Sequence, residues 1–180
     1  MDKRWSDSYF EGLEGYDCLE IGALDGMTTK YLASRFRRVF VIDPWDGRQE
    51  GVPHKYSLFM ENAGNLPNVF HCRAGSETEE ARRFLAESQG LELGFAYVDG
   101  LHNQAAVIND WGLADAYMRQ GGIVFVDDCG QPGRPMGDVS AGCDMYMAAS
   151  DAYEEMESVG RSMSVWNDDD GLTRIFRKKR

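Results

Sequence analysis

Five short apolar runs constrain this chain more than any other feature: Cys18–Ile21, Val39–Ile42, Val69–Cys72, Phe95–Val98 and Ile123–Val126. Each is nearly continuous in apolar character, as in parallel strands covered on both faces. Stretches with helical spacing lie between them. Ser76-Glu77-Thr78-Glu79 reads as a capping box, after which Ala81, Phe84, Leu85 and Ser88 share one helical face. Val107, Trp111, Ala114 and Met118 form a second stripe, which Gly121-Gly122 is expected to end. Strand alternating with helix predicts an α/β chain, with right-handed crossovers placing helices on both faces of the sheet. Further on, Asp144–Glu155 reads as helical. Met156–Trp166 and Leu172–Phe176 read as two strands around the polar turn Asn167–Gly171, a closing antiparallel hairpin. Arg177–Arg180 is expected to be a solvated tail. The expectation is a single domain over residues 1–180 with a mostly parallel, seven-stranded, doubly wound sheet.

Composition narrows the function. The chain carries 19 basic and 30 acidic side chains, a net charge of −11, which argues against a surface built to neutralise phosphates, hence against nucleic acid as partner. No apolar run approaches the ~20 residues needed to cross a bilayer. The first residues have no apolar segment of the secretory kind. Cys18, Cys72, Cys129 and Cys143 show neither CxxC pairing nor zinc-ligand spacing, which suits a reducing, cytoplasmic setting.

In open α/β sheets, ligands bind beyond the carboxyl ends of the strands. The first strand ends in Glu20-Ile21-Gly22-Ala23-Leu24-Asp25-Gly26-Met27-Thr28-Thr29, a glycine-bearing strand-to-helix turn that lets backbone approach a ligand. It is not the dinucleotide fingerprint, because Leu24 and Met27 stand where GxGxxG needs glycine. No GxxxxGK[ST] phosphate loop is present either. Asp43, about 20 residues after the turn, is placed to accept ribose hydroxyls. Turn and acid together favour an adenosine ligand without a diphosphate. Gly75-Ser76, after the third strand, is placed to border the adenine; Ser76 reads equally as a helix cap.

The fourth strand ends in Asp99-Gly100-Leu101-His102 and the fifth in Asp127-Asp128. On neighbouring strands, Asp99, Asp127 and Asp128 would meet at one rim and repel unless a cation sat among them. Hard oxygen donors suit Mg²⁺ or another divalent ion. His102 is a candidate general base for a hydroxyl, since imidazole titrates near neutrality. The plainer reading keeps one ligand-binding acid and leaves the others as helix caps.

Glu20-Ile21-Gly22 through Thr29 resembles the first motif of class I S-adenosylmethionine-dependent methyltransferases, and Val41-Ile42-Asp43-Pro44-Trp45 their second. Phe59-Met60-Glu61-Asn62, Gly75-Ser76 and Val98-Asp99-Gly100-Leu101-His102 followed by Asp110 are similar to the branch called methyltransferase family 24, related to the caffeoyl-CoA and macrocin O-methyltransferases. The likeness runs from about residue 16 to 128. It implies a Rossmann-like fold and S-adenosylmethionine as cofactor. Gly22, Ala23, Gly26 and Thr28 would lie near its methionine part, Glu20 near its amino group, Asp43 at the ribose, and Trp45, Gly75 and Ser76 at the adenine. Asp99, counted with both the cofactor-binding and the catalytic residues, would also join Asp127 and Asp128 around a divalent ion that orients the acceptor hydroxyl. One departure is Leu101, which stands where macrocin-type enzymes carry an acidic base, leaving His102 for that role. Gly130–Gly137 is a candidate lid. The expected activity is metal-assisted O-methylation of a small hydroxylated molecule or sugar. Metal-independent transfer to another atom, a nucleotide-dependent oxidoreductase and a non-catalytic adenosine-binding module are the alternatives, and homo-oligomerisation is left open.

Overall fold

A computed structural model describes residues 5–47, 55–130, 137–160 and 172–179. The strands are β1 (Asp17–Ile21), β2 (Arg38–Ile42), β3 (Val69–Cys72), β4 (Leu93–Val98), β5 (Met118–Val126), β6 (Tyr153–Gly160) and β7 (Leu172–Lys178). The helices are α1 (Met27–Ala33), α2 (Tyr56–Phe59), α3 (Glu79–Ala86), α4 (Gln104–Asp115) and α5 (Gly137–Ala149), with a π-helical turn at Met60–Gly64 continuing α2. One seven-stranded sheet has the order β3-β2-β1-β4-β5-β7-β6. The first five strands pair in parallel, and β7 pairs antiparallel with both β5 and β6. The chain therefore folds as the expected Rossmann-like doubly wound sheet with an antiparallel pair at one edge.

Alternate strand residues feed two cores. Leu19, Ile21, Ala96, Val98, Val124 and Val126 face α3, α4 and α5, where Trp111 is fully buried against Tyr146, Tyr153 and Phe176. Gly142 permits the close approach of α5 to α4, since a Cβ there would lie 2.9 Å from Val107 Cβ. Cys18, Val39, Val41, Phe95 and Phe125 face the other way, toward α1, Phe59 and the segment carrying Trp5, Phe10 and Leu13. Burial on both faces is why β1, β2, β4 and β5 read as unbroken apolar runs, whereas β3, at the sheet edge, leaves Phe70 exposed.

Several boundaries differ from expectation. Thr78, not Ser76, caps α3, its hydroxyl accepting from the Ala81 amide at 3.2 Å. Helix α4 ends at Asp115, and Met118 opens β5. Gly121 and Gly122 thus lie inside that strand, Gly121 with φ +77°. The helix expected over Asp144–Glu155 lies at Gly137–Ala149, and β6 begins at Tyr153 because that ring is buried with its hydroxyl on Asp115. Arg177 and Lys178 belong to β7 instead of a solvated tail, and the Lys178 ammonium lies 2.6 Å from Asp115 Oδ1. The turn at 161–171 and most of the candidate lid, 131–136, lie outside the described residues. Among the described residues no helix is long and apolar enough to cross a membrane.

Candidate active site

The carboxyl ends of five strands form a row joined by backbone hydrogen bonds. The Asp43 amide donates to Cys72 O, Gly22 to Ile42 O, Asp99 to Ile21 O and Asp127 to Val98 O, at 2.8–3.2 Å. The residues singled out at the strand ends therefore stand side by side along one rim.

The turn after β1 is shaped by left-handed residues: Gly22 (φ +85°), Leu24 (φ +49°) and Gly26 (φ +80°). Gly22 is required by proximity, because a Cβ there would sit 2.0 Å from the Asp99 carbonyl oxygen. Asp43 organises the turn from β2. Its Oδ2 accepts from the amides of Ala23 (2.8 Å) and Leu24 (3.0 Å), and its Oδ1 from that of Trp45 (2.6 Å). A carboxylate offers about four lone-pair sites, so this half-buried group can accept another donor. Trp45 is buried, packs on Phe59 at 4.5 Å, and donates its indole N–H to Leu24 O at 2.8 Å. Asn62 of the π turn donates to Asp25 O at 2.8 Å, holding the turn from a third side. Beneath it Glu20 is fully buried and accepts from the Thr29 hydroxyl at 2.5 Å. Thr28 is also buried, while Leu24 and Met27 stay exposed. The turn thus offers backbone, the Asp25 and Asp43 carboxylates and apolar side chains, surroundings suited to an amino acid joined to a nucleoside.

Next along the rim, the Ser76 hydroxyl donates to Asp110 Oδ1, and Asn109 Nδ2 donates to the same oxygen at 3.0 Å. Burial pushes the Asp110 carboxyl up to about 6, despite those two bonds. Ser76, beside Gly75, thus faces α4 instead of capping α3. Gly100 leaves room for Asp110, since a Cβ there would lie 2.9 Å from Asp110 Oδ2.

Asp99, His102 and Asp128 converge. One ligand atom from each lies within 4.8 Å of the others. His102 Nε2 is 3.1 Å from Asp128 Oδ2 and 3.6 Å from Asp99 Oδ1, and all three side chains are partly exposed. The two carboxylates suit a divalent cation, and the imidazole beside them is placed to take a proton. Asp127, expected among the ligands, is not one of that trio. It is 3% exposed, accepts from the Tyr97 hydroxyl, and takes the Thr173 hydroxyl at 2.8 Å on Oδ1. Tyr97 and Thr173 went unnoticed in the sequence. Tyr97 lies two residues before Asp99, and the period of two in a strand puts both on one face. Thr173 had no local signal, because β7 meets the rim from far along the chain.

Strand order, antiparallel β7, glycine turn and strand-end acid together define a class I S-adenosylmethionine-dependent methyltransferase. Solved structures share the fold: the O-methyltransferase TomG from Streptomyces achromogenes in complex with S-adenosylmethionine (TM-score 0.66, 16% identity, 93% of this chain and 74% of that one), the N-methyltransferase NodS from Bradyrhizobium japonicum with S-adenosylhomocysteine (0.63, 17%, 96% and 85%), and an rRNA methylase from Streptococcus thermophilus (0.65, 15%, 97% and 93%). At these identities the likeness is one of fold, and the acceptors named differ in kind. No curated protein matches the chain significantly. Residues 19–129 match the methyltransferase-domain family numbered 24, and the chain belongs to that family.

Proposed function

We propose that the chain methylates an oxygen of a small hydroxylated molecule or sugar, assisted by a divalent cation such as Mg²⁺. The observation that carries this reading is the convergence of Asp99, His102 and Asp128 within 4.8 Å, on a strand end that touches the glycine turn at Gly22. An alcohol or phenol is a weak nucleophile until its proton is held or removed, and this cluster is equipped for that. A nitrogen acceptor already carrying a free lone pair would not need it.

When bound, S-adenosylmethionine supplies an electrophilic methyl carbon, and the cation supplies Lewis-acid stabilisation of a developing alkoxide or phenolate. Gly22, Ala23, Gly26 and Thr28 line the methionine side above Glu20. Asp43 accepts from the ribose, and Trp45, Gly75 and Ser76 border the base. Asp99 and Asp128 hold the cation, and His102 takes the acceptor proton, a step worth typically ~10²–10⁴-fold. The buried placement of Asp127 supports an anchoring part behind these residues. The acceptor is expected to be uncharged or only weakly anionic, because the chain carries a charge of −11. Four free, buried thiols favour a reducing cytoplasm as its setting.

The test is methyl transfer from labelled S-adenosylmethionine to a panel of phenols, catechols and sugars, with EDTA or with Mg²⁺. The expected result is a loss of tenfold or more in EDTA, restored by Mg²⁺ and absent in Asp128→Asn. Undiminished transfer in EDTA and in that variant would overturn the cation and favour another acceptor atom.

A further inference from the structure

Behind the rim lies a small buried network that none of the roles above requires. The Tyr97 hydroxyl on β4 donates to Asp127 Oδ2 and lies 3.1 Å from Asp99 Oδ2. A phenol has one proton to give, so a single O–H serves two carboxylates and fixes their separation. From β7 the Thr173 hydroxyl donates to Asp127 Oδ1 at 2.8 Å. The same Oδ1 accepts from the Asp128 amide at 2.9 Å. Tyr97 and Thr173 are each 1% exposed, so their bonds to Asp127 form away from water. One residue on, the Cys129 amide donates to Leu172 O at 2.8 Å, a second tie to β7.

The residue held by this network has an unusual backbone. Asp128 has φ +55°, a left-handed conformation uncommon in non-glycine residues, though aspartate is among those that adopt it most readily. That conformation puts its carboxylate 3.1 Å from His102. An extended backbone there would send the side chain elsewhere.

We propose that Tyr97 and Thr173 are positioning residues for methyl transfer: through Asp127 they hold the Asp128 backbone left-handed and so set the spacing of Asp128, His102 and Asp99. This rests on the reading of that trio given above. It makes β7, the antiparallel strand inserted between β5 and β6, a structural part of the acceptor side. Asp127 then acts through its neighbour, not as a ligand.

Thr173→Val keeps the shape and removes the hydroxyl; Thr173→Ser keeps the hydroxyl. Four quantities are measured on the full chain: amide exchange at Asp128, Mn²⁺ affinity by calorimetry without cofactor, turnover, and S-adenosylhomocysteine affinity. In Thr173→Val, exchange at Asp128 is expected to rise and Mn²⁺ affinity and turnover to fall, each tenfold or more. S-adenosylhomocysteine affinity is expected to stay within twofold, and Thr173→Ser to restore all three to within threefold of wild type. Tyr97→Phe is expected to behave like Thr173→Val. Unchanged exchange at Asp128 overturns the proposal, as does faster exchange with undiminished turnover. If Thr173→Val does not fold, the serine variant decides: failure of that variant to retain wild-type turnover shows that the hydroxyl is not what matters. If the wild type binds no Mn²⁺ and works in EDTA, the cation reading fails by itself, and exchange and turnover still decide the positioning role.

Discussion

His102 Nε2 lies 3.1 Å from Asp128 Oδ2, although one residue follows β4 and the other follows β5. The pair meets because β4 and β5 are parallel neighbours in register, with Val98 opposite Val126. His102→Ala is expected to lower turnover by about 10²-fold or more while cofactor affinity stays within twofold. Steady-state kinetics beside calorimetry checks this, and a wild-type rate would remove His102 from the proton-transfer role.

Asp43 serves three backbone amides, those of Ala23, Leu24 and Trp45. Removing it strips the turn of its organiser and, on the proposed reading, the ribose of its acceptor. Asp43→Ala should weaken S-adenosylmethionine binding by at least tenfold, about 1.4 kcal/mol, in calorimetry. Thermal stability should fall as well, since unsatisfied amides cost about 1–3 kcal/mol each when buried.

Gly22 and Gly12 share a left-handed φ, +85° and +78°, but only Gly22 has a neighbour, at 2.0 Å from its added Cβ. Alanine at Gly12 should therefore cost only the dihedral term, about 1 kcal/mol in urea unfolding. Alanine at Gly22 adds a backbone clash and should cost about 1–3 kcal/mol more, with loss of S-adenosylhomocysteine binding. Equal effects of the two substitutions would mean that the contact with Asp99 is not tight.

Asp110 should make stability depend on pH. Its carboxyl is raised from 3.8 to about 6 by burial, so the folded chain keeps a proton that the unfolded chain has released. The protonated group's advantage is fully present below pH 3.8 and is lost as pH rises through about 6, a difference of about 3 kcal/mol. Asp110→Asn should abolish that dependence. Urea unfolding of both proteins between pH 4 and 7.5 measures it, and parallel curves would refute the assignment.

The sheet was legible because strands buried on both faces leave unbroken apolar runs such as Val39–Ile42. Element ends were less so. Met118 continued the Val107–Trp111–Ala114 stripe by spacing, yet it pairs with Leu93 as the first residue of β5. Helical period alone does not tell where a chain leaves its helix. The rim residues were legible since strand ends carry ligands in this architecture, and Asp43, Asp99, His102 and Asp128 were all singled out there. Which carboxylate of Asp127-Asp128 faces outward was not legible. That depends on a left-handed φ at Asp128 and on a hydroxyl from Thr173, 46 residues away.

The contact at Gly22 has a consequence for how such a chain can change. One hydrogen atom is all that separates the glycine turn from the Asp99 carbonyl, so the turn and the strand end that carries Asp99 keep the spacing of adjacent strands, about 4.8 Å. On the proposed roles, loops around His102 can then be rewritten to admit a new acceptor without disturbing the packing of the turn against that strand.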